Sequence, residues 1–456
     1  MSSLSVIEIC AGAGGQALGL HLAGFQHEVA VELDKTAADT LRLNMPDCDV
    51  RTGDVADLSV FDPADFAPER RAAEHLPPID LVAGGVPCPP FSIAGKQLGA
   101  NDERDLFAWA VEQVEIIQPR ALLLENVRGL SMPRFAGYRQ HVLDRLDQLG
   151  YHAEWRLINA SDYGVPQLRP RFVLVAMHPD EFKFFQWPER ASAPPLTVGE
   201  TLRTIMGRDK WKGADAWAAA ATGIAPTIVG GSKKHGGADL GPTRAKRAWA
   251  EMGVDAKGVH DVPPPYDKPP YDKRPMTPLG PKLTVEMVAR LQGWVFIDHM
   301  KKGHQQQVEK EAADDPSANL EYRWKFEGRK TSRYRQIGNA FPPPVARAIG
   351  TSIARALRME GDVIGREVDG ETDPVYRALI KSGTYLSVPE IASESGLALT
   401  DLEIRHRINL LSRDFEIRER ARGSEPVYKL GEFRAFTGQD DHLRHEHYRT
   451  ARSRIS

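Results

Sequence analysis

A cysteine and a glutamate follow two neighbouring apolar runs, where their side chains could act together on an aromatic ring. Cys88 lies in a glycine- and proline-rich loop, 84–92, and Glu125 follows the apolar run 121–124. A thiolate is a soft nucleophile, and flanking prolines make this loop a poor place for a cysteine that only packs in a core. A protonated carboxyl group at nitrogen 3 of cytosine would let the thiolate add at carbon 6. Carbon 5 could then take a methyl group from a sulfonium.

Two arginines precede the next predicted strand, 172–175. Arg169 and Arg171 are two residues apart on an extended segment, so their side chains are expected to point the same way. Guanidinium groups suit phosphates and the exocyclic oxygen of a base. Taken alone, the arginines are also compatible with ordinary surface charge, and Glu125 alone is more typical of a strand-end cap or a salt bridge.

A glycine-rich turn near the N-terminus has the spacing of a nucleotide-binding loop. Residues 12–17 fit the pattern G-x-G-x-x-A between a predicted strand and helix, and Glu32 follows Gly12 by 20 residues. Glycines let the backbone approach a nucleotide, and an acidic side chain accepts hydrogen bonds from ribose hydroxyls. Asp54, after the third strand, could meet an adenine amino group. The pattern predicts an adenosine cofactor without distinguishing NAD from S-adenosylmethionine, and a turn needed only for strand–helix packing stays an alternative.

Alternating strands and helices must position these residues. Apolar runs at 6–10, 29–32, 81–83 and 121–124 are typical of buried parallel strands, and residues 106–117 have helical spacing of apolar side chains. The series predicts an α/β fold with a doubly wound, mostly parallel sheet that binds its ligand at the carboxyl ends of the strands.

Composition narrows the class of protein. The chain has 456 residues, with 59 Lys and Arg against 62 Asp and Glu and a formal net charge of −3. If the protein binds nucleic acid, its positive charge must therefore be concentrated in a local patch. Three scattered cysteines exclude a disulfide framework and a zinc site, so we expect no metal and a reduced, cytoplasmic setting. Because no run of about 18 apolar residues occurs, no membrane span is predicted.

Two basic runs supply local charge. The first, 232–247, contains Lys233, Lys234, Arg244, Lys246 and Arg247. The second, 323–335, has aromatic residues interleaved with its basic ones, namely Trp324, Phe326 and Tyr334. A run of basic residues often marks only a solvent-exposed surface. Because these two runs lie in the region expected to read DNA, we favour the interpretation that they contact the duplex.

Six motifs in order make the sequence resemble the DNA (cytosine-5)-methyltransferase family over about residues 5–180 and 280–350. The motifs begin at Ala11, Pro87, Glu125, Gln167, Leu283 and Gln336. The resemblance implies a class I S-adenosylmethionine-dependent fold, double-stranded DNA as substrate and flipping of the target cytosine out of the duplex. It points to the modification enzyme of a bacterial restriction–modification system, with a cognate restriction endonuclease as a possible functional partner.

The resemblance also implies roles for individual residues. Cys88 would form a covalent adduct at carbon 6, Glu125 would protonate nitrogen 3, and Arg169 and Arg171 would hold the flipped cytosine and its phosphates. The S-adenosylmethionine pocket would be lined by Ala11, Gly12, Gly14, Gly15, Glu32, Asp54, Val55, Pro87, Leu106 and Asn339. DNA would be contacted by Ser92, Lys96, Gln167, Lys233, Lys234, Arg244 and Arg247. Cys10 stands where the family often has phenylalanine, and we interpret it as a packing residue.

We predict three parts and a monomer. The catalytic domain would span 1–186 and be completed by 331–358, and a smaller, irregular target recognition domain with its hinge would span 187–330. The C-terminal unit, 374–456, would be an extension similar to a winged helix-turn-helix, or else a packing or protein-interaction extension. Two other functions stay open at this point: an NAD-dependent oxidoreductase and an inactive DNA-binding regulator.

Overall fold

A seven-stranded sheet organises the first part of the chain. The computed structural model describes residues 3–86, 106–230, 238–265, 277–294, 324–364, 373–412, 415–423 and 425–433. The strands are β1 (Leu4–Ile9), β2 (Phe25–Glu32), β3 (Asp49–Thr52), β4 (Leu81–Gly85), β5 (Ala121–Val127), β6 (His152–Asn159) and β7 (Pro170–Met177). Their order is β3-β2-β1-β4-β5-β7-β6. Strands β1 to β5 pair in parallel, and β7 runs antiparallel to β5 and β6.

The sheet confirms the predicted α/β class. The chain winds outwards from β1 to β3 and then returns to β4 on the other side of β1, so the order reverses between β1 and β4. In doubly wound sheets ligands bind at such a switch point, beyond the carboxyl ends of the strands. All six residues of β1 are buried, as expected for a strand covered on both faces.

Helices cover both faces of the sheet. Those of the first part are α1 (Gly15–Leu22), α2 (Lys35–Asn44), α3 (Pro68–Ala73), α4 (Leu106–Ile117), α5 (Ala136–Gln148) and α6 (Pro179–Phe182). Successive residues of a strand point to opposite faces of the sheet. In β1, Ile7 packs in the core under α4 and α5. Val6 packs in a separate core on the other face, together with residues of a later helix, α12 (Pro343–Leu357).

Helix α12 lies directly against α1, although more than 300 residues separate them along the chain. The contact depends on Gly19, because a Cβ atom there would lie 2.4 Å from the Cβ of Ala346 and 2.6 Å from the backbone nitrogen of Arg347. A late segment of the chain is therefore built into the packing of the sheet.

The region after Trp187 is more helical than its weak periodicity predicts. Its helices are α7 (Val198–Gly207), α8 (Ala214–Ala220), α9 (Thr243–Glu251) and α10 (Val285–Leu291), and α11 (Lys330–Asn339) follows. A capping box between Thr197 and Glu200 starts α7. Trp217, Trp249 and Trp294 are buried in one cluster that also includes side chains of α1 and α2. Large aromatic residues thus supply the core that the aliphatic pattern does not reveal.

The C-terminal unit has three helices and a small antiparallel sheet. Its elements are α13 (Pro374–Ser382), β8 (Leu386–Ser387), α14 (Val388–Ser395), α15 (Asp401–Leu411), β9 (Phe415–Arg422) and β10 (Glu425–Phe433), with strand order β8-β10-β9. Ser387 caps α14. Tyr376 donates a hydrogen bond to Asp144 of α5, and Phe415 packs edge-on against His141 at 5.6 Å between ring centres.

Within the described part of the chain, no helix has both the length and the apolar content needed to cross a membrane.

Candidate active site

A cavity of about 360 Å³ opens at the carboxyl ends of the parallel strands. Its lining follows the strand order across the sheet: Asp54 after β3, Glu32 in β2, Ala11 and Gly12 after β1, Gly85 in β4 and Glu125 in β5. Neighbouring strands lie about 4.8 Å apart, so the cavity is elongated across several strands. One elongated ligand site therefore runs from the predicted adenosine end to the predicted cytosine end.

Hydrogen bonds join the glycine loop to Glu32 at this site. The Glu32 carboxylate accepts hydrogen bonds from the backbone N–H of Gly12 at 2.7 Å and of Asp34 at 2.7 Å. Burial raises the pKa of Glu32, and these two backbone donors oppose the shift. The carboxylate is thereby fixed in the cavity wall, where it could meet ribose hydroxyl groups.

Most of the predicted cofactor residues line the cavity. These are Ala11, Gly12, Gly15, Glu32, Asp54, Val55, Leu106 and Asn339. Cys10 also lines it, and burial raises the pKa of its thiol, as do the nearby charges of Glu32 and Asp54. A thiol held neutral in this way is a poor nucleophile, which supports a packing role for Cys10.

Gly14 has a different role from the one predicted. It does not line the cavity; a Cβ atom at Gly14 would lie 2.3 Å from Cζ2 of Trp324. The indole nitrogen of Trp324 donates to the backbone oxygen of Ala13 at 2.8 Å. Gly14 therefore lets a tryptophan pack closely against the loop instead of a cofactor.

Replacing Gly14 with alanine will lower the stability of the protein more than replacing Gly150, which serves as a matched control. Both glycines have positive φ, 90° and 86°, but a Cβ atom at Gly150 meets nothing within 4 Å. Each substitution carries backbone strain of about 1–2 kcal/mol, and Gly14→Ala adds about 1–3 kcal/mol of overlap with Trp324. Urea unfolding followed by circular dichroism measures the difference; equal midpoints would contradict the packing role.

Glu125 and Arg171 meet at the other end of the cavity. Nε of Arg171 lies 2.5 Å from Oε1 of Glu125, and only 11% and 10% of the two side chains is exposed. In the antiparallel ladder Arg171 opposes Val127, which places it diagonally across from Glu125. Burial raises the pKa of Glu125, while the charges of Arg171 and Arg169 hold it down. The net shift of the Glu125 pKa is upward, as a proton donor at nitrogen 3 requires.

The loop that carries the predicted nucleophile starts beside this carboxyl group. Gly85 pairs with Glu125 in the sheet, and a Cβ atom at Gly85 would lie 3.6 Å from Oε2 of Glu125. Cys88 follows three residues later. Cys88, Pro87, Ser92 and Lys96 lie outside the described residues.

The guanidinium of Arg169 is occupied by the protein's own backbone, contrary to our expectation of a phosphate contact. It is 1% exposed, and its guanidinium donates to the backbone oxygens of Ile228 at 2.5 Å, Gly338 at 2.8 Å and Ala340 at 2.9 Å. These acceptors come from two other segments of the chain. Arg169 is therefore a positioning residue that ties the start of β7 to the segment before residue 231 and to the end of α11.

The prediction that Gln167 contacts DNA is also corrected. Gln167 is fully buried; its amide nitrogen donates to Leu291 and Gln292, and its amide oxygen accepts from the backbone N–H of Ile228 at 2.9 Å. Gln292 in turn donates to the backbone oxygen of Ile337 at 2.6 Å. The glutamine joins the predicted catalytic and recognition regions from inside, where DNA has no access.

The two basic runs have different environments. Arg244 and Arg247 are exposed and three residues apart on α9, so they share one helix face, whereas Lys246 is paired with Asp239 at 2.5 Å. Lys233 and Lys234 lie outside the described residues. The aromatic residues of the second run, Trp324, Phe326 and Tyr334, are buried and cannot stack on bases.

Sequence reasoning missed several residues of the cavity wall. They are Glu8, Gln16, Ser332, Arg335, Gln336 and Phe341. Gln16 is a variable position of the glycine motif, Glu8 precedes that motif, and the others lie close to Asn339, so proximity to two known motifs was the available signal. Asn339 itself fits only because Gly230 has no side chain: a Cβ atom there would lie 2.1 Å from Oδ1 of Asn339.

Comparison with known proteins identifies the family of this chain. The chain matches the family model of the C-5 cytosine-specific DNA methylase over residues 4–312 and 314–355. It is 58% identical over 457 residues to the Type II methyltransferase M.NaeI of Lentzea aerocolonigenes, with 100% of each chain covered. It is 44% identical over 358 residues to the Type II methyltransferase M.NgoMIV of Neisseria gonorrhoeae, with 78% of this chain and 98% of the relative covered. This chain therefore belongs to the C-5 cytosine-specific DNA methylase family.

Proposed function

We propose that this protein is a site-specific DNA cytosine-5 methyltransferase that uses S-adenosylmethionine and serves as the modification enzyme of a bacterial restriction–modification system. The observation that carries the proposal is the single cavity that joins the Gly12–Glu32 unit to the Glu125–Arg171 pair. Such a cavity can hold a methyl donor and a flipped base side by side. Neither an NAD-dependent oxidoreductase nor an inactive DNA-binding regulator requires a buried carboxyl group with a raised pKa at that position.

The residues present fit S-adenosylmethionine. Glu32 is held where it can accept from ribose hydroxyls, Asp54 lies further out at the end expected for adenine, and Gln16 is a buried amide without a partner among the described residues. When bound, the cofactor supplies an electrophilic methyl group on a sulfonium.

The chain's own residues prepare the cytosine. Glu125 in its protonated form donates to nitrogen 3, and Arg171 beside it orients the carboxyl group and faces the same part of the ring. Withdrawal of electrons towards nitrogen 3 makes carbon 6 electrophilic, so that the thiolate of Cys88 can add there and carbon 5 becomes nucleophilic. The role of Cys88 rests on the family motif at residues 87–92.

Double-stranded DNA is the proposed partner, and extrusion of a stacked base costs a few kcal/mol that contacts along the duplex must offset. Arg244 and Arg247 are the described basic residues that we assign to this contact, because they are exposed on one face of α9. The region 187–330 would read the sequence, and 331–358 would complete the catalytic domain 1–186. We further propose a cytoplasmic monomer with a cognate endonuclease in the same host.

The C-terminal unit, 374–456, is proposed to be a winged-helix-like module. Three helices and the β9–β10 hairpin, with β8 as the third strand, support this assignment, and the unit lies beyond the family match that ends at residue 355.

Bisulfite sequencing of DNA from a host that expresses this chain tests the function and identifies the target site. We expect full protection of one cytosine in one short sequence, and no protection when the expressed chain carries Cys88→Ala. Protection by the variant would contradict the assigned nucleophile. Absence of protection with the wild-type chain would favour the oxidoreductase or the regulator.

A further inference from the structure

A second cavity lies away from the active site, towards the amino ends of the strands. Its volume is about 510 Å³, compared with about 360 Å³ for the cavity at the carboxyl ends. It forms where α1 and α2 end and where β2 begins, and Asp47 lines it just before β3. None of the residues that we assign to the cofactor, the cytosine or DNA lines this second cavity. It is therefore a separate candidate for ligand binding.

A buried histidine in the wall of the second cavity has an unmet hydrogen-bonding capacity. His27 of β2 is 4% exposed and lines the cavity. Its Nε2 lies 2.7 Å from Oε2 of Glu8, whereas its Nδ1 has no partner among the residues that the structure describes. When Nε2 carries the hydrogen that the Glu8 carboxylate accepts, Nδ1 of the uncharged ring keeps a lone pair. Because buried polar atoms are almost always paired, this nitrogen points to a ligand that donates a hydrogen bond.

The surroundings of His27 favour a positively charged ligand. Helices α1 and α2 both end at the second cavity, where His21 and Asn44 line it, and the C-terminal end of a helix carries the negative end of its dipole. Asp47 adds a carboxylate to the lining, and burial lowers the pKa of His21. The described residues that line this cavity include no lysine or arginine. A cation would therefore meet attraction here and an anion would meet repulsion.

The remaining walls suit an organic cation better than a metal ion. Phe25, Met45 and Trp324 contribute large apolar side chains to the lining, and aromatic rings attract cations. Among the described residues, no three His, Cys, Asp or Glu side chains are grouped in a way that could hold a metal ion. The volume also exceeds what a bare metal ion occupies.

We infer that the second cavity binds a small organic amine, whose ammonium group donates a hydrogen bond to Nδ1 of His27. The charge of Asp47 stabilises the ammonium group, and the hydrocarbon part packs against Phe25 and Trp324. A donor at Nδ1 favours the tautomer in which Nε2 donates to Glu8. This binding does not depend on the proposed function, because the cofactor and the cytosine are assigned to the other end of the strands.

Three compounds of similar shape separate the charge of the ligand from its hydrogen bond. Benzylammonium has both a positive charge and N–H donors, benzyl alcohol has a donor without the charge, and benzyltrimethylammonium has the charge without a donor. Isothermal titration calorimetry of the full-length wild-type protein at constant ionic strength measures the three affinities. We expect saturable binding of one benzylammonium, and at least fivefold weaker binding of each of the other two compounds.

Variants of the lining then locate the bound amine. We expect His27→Leu to weaken benzylammonium at least tenfold. Asp47→Asn should weaken benzylammonium about twofold to fivefold, the range for an exposed charge pair, and leave benzyl alcohol unchanged. The control is Asp180→Asn, which removes an exposed carboxylate on α6 outside the cavity and should change neither affinity. Because His27→Leu also removes the partner of the buried Glu8, Asp47→Asn decides the question if circular dichroism shows that His27→Leu is unfolded.

Four outcomes overturn the inference and leave the proposed function standing. The first is no saturable binding of benzylammonium to the wild-type protein. The second is benzyl alcohol binding as tightly as benzylammonium, which would make the cavity an apolar pocket without preference for a cation. The third is equal binding of benzyltrimethylammonium, which would exclude the hydrogen bond to His27. The fourth is an unchanged affinity for benzylammonium in a folded His27→Leu protein or in Asp47→Asn.

Discussion

Replacing Glu125 with glutamine will lower the rate of methyl transfer to DNA by roughly a hundred- to ten-thousand-fold, the range expected when a general acid is lost. Glutamine has nearly the same shape, so the buried site stays filled, but it has no acidic proton to give to nitrogen 3. Arg171 also loses the carboxylate that lies 2.5 Å from its Nε. Transfer of labelled methyl groups to duplex DNA containing the target site, measured in a single turnover, gives the rate.

Cofactor binding provides the control for this variant. Glu125 lies at the end of the cavity away from Glu32, so affinity for S-adenosylhomocysteine should stay within about threefold of wild type, well under the change in rate. A Glu125→Gln protein that transfers methyl groups within threefold of the wild-type rate would show that the carboxyl group does not activate the ring.

Replacing Arg169 with methionine will lower the free energy of unfolding by at least about 3 kcal/mol, since three buried backbone oxygens lose their donor at about 1–3 kcal/mol each. Arg169→Lys should be intermediate, because one ammonium group cannot span acceptors on two separate segments in the same geometry. Denaturant unfolding followed by tryptophan fluorescence measures the loss.

An exposed arginine is the matched control for this prediction. Arg244→Met should change stability by no more than about 0.5 kcal/mol, because Arg244 is exposed on α9. A phosphate-binding Arg169 would show the reverse behaviour: nearly unchanged stability, weaker binding to all DNA sequences and a smaller dependence of affinity on salt. That result would restore the original prediction for Arg169.

The sheet and the cofactor end of the site could be predicted because their signals are local. A buried parallel strand is a short apolar run, and the glycine loop with Glu32 is contained within residues 4–32. Both depend only on the sequence of one βαβ unit. The raised pKa of Glu125 has an equally local cause, since a carboxyl group at the end of a buried strand is desolvated.

The different roles of Arg169 and Arg171 could not be predicted from the sequence. A spacing of two residues predicts that both side chains point to the same face of an extended segment. In the structure β7 begins at Pro170, so Arg171 lies within the strand and pairs with β5, whereas Arg169 lies before the strand. The acceptors of Arg169 lie up to 171 positions further along the chain. No local pattern reveals a carbonyl group that only the tertiary fold brings near.

The aromatic residues of the second basic run were misinterpreted for a related reason. Trp324 and Phe326 alternate with the exposed Lys325, which is the pattern of an extended segment with one buried side. Basic and aromatic residues in one run are also typical of nucleic-acid binding. The sequence shows the alternation but not that the loop at Ala13 and Gly14 provides the surface against which Trp324 packs.

Covalent trapping at Cys88 tests the central claim most directly. Duplex DNA that carries 5-fluorocytosine at the target position found by bisulfite sequencing is incubated with the protein and S-adenosylmethionine, and peptides are analysed by mass spectrometry after digestion. We predict one cross-linked peptide in which Cys88 carries the methylated, fluorinated base, and a large reduction of this product in Glu125→Gln. A cross-link at another residue, or no cross-link although methyl groups are transferred to normal DNA, would contradict the account.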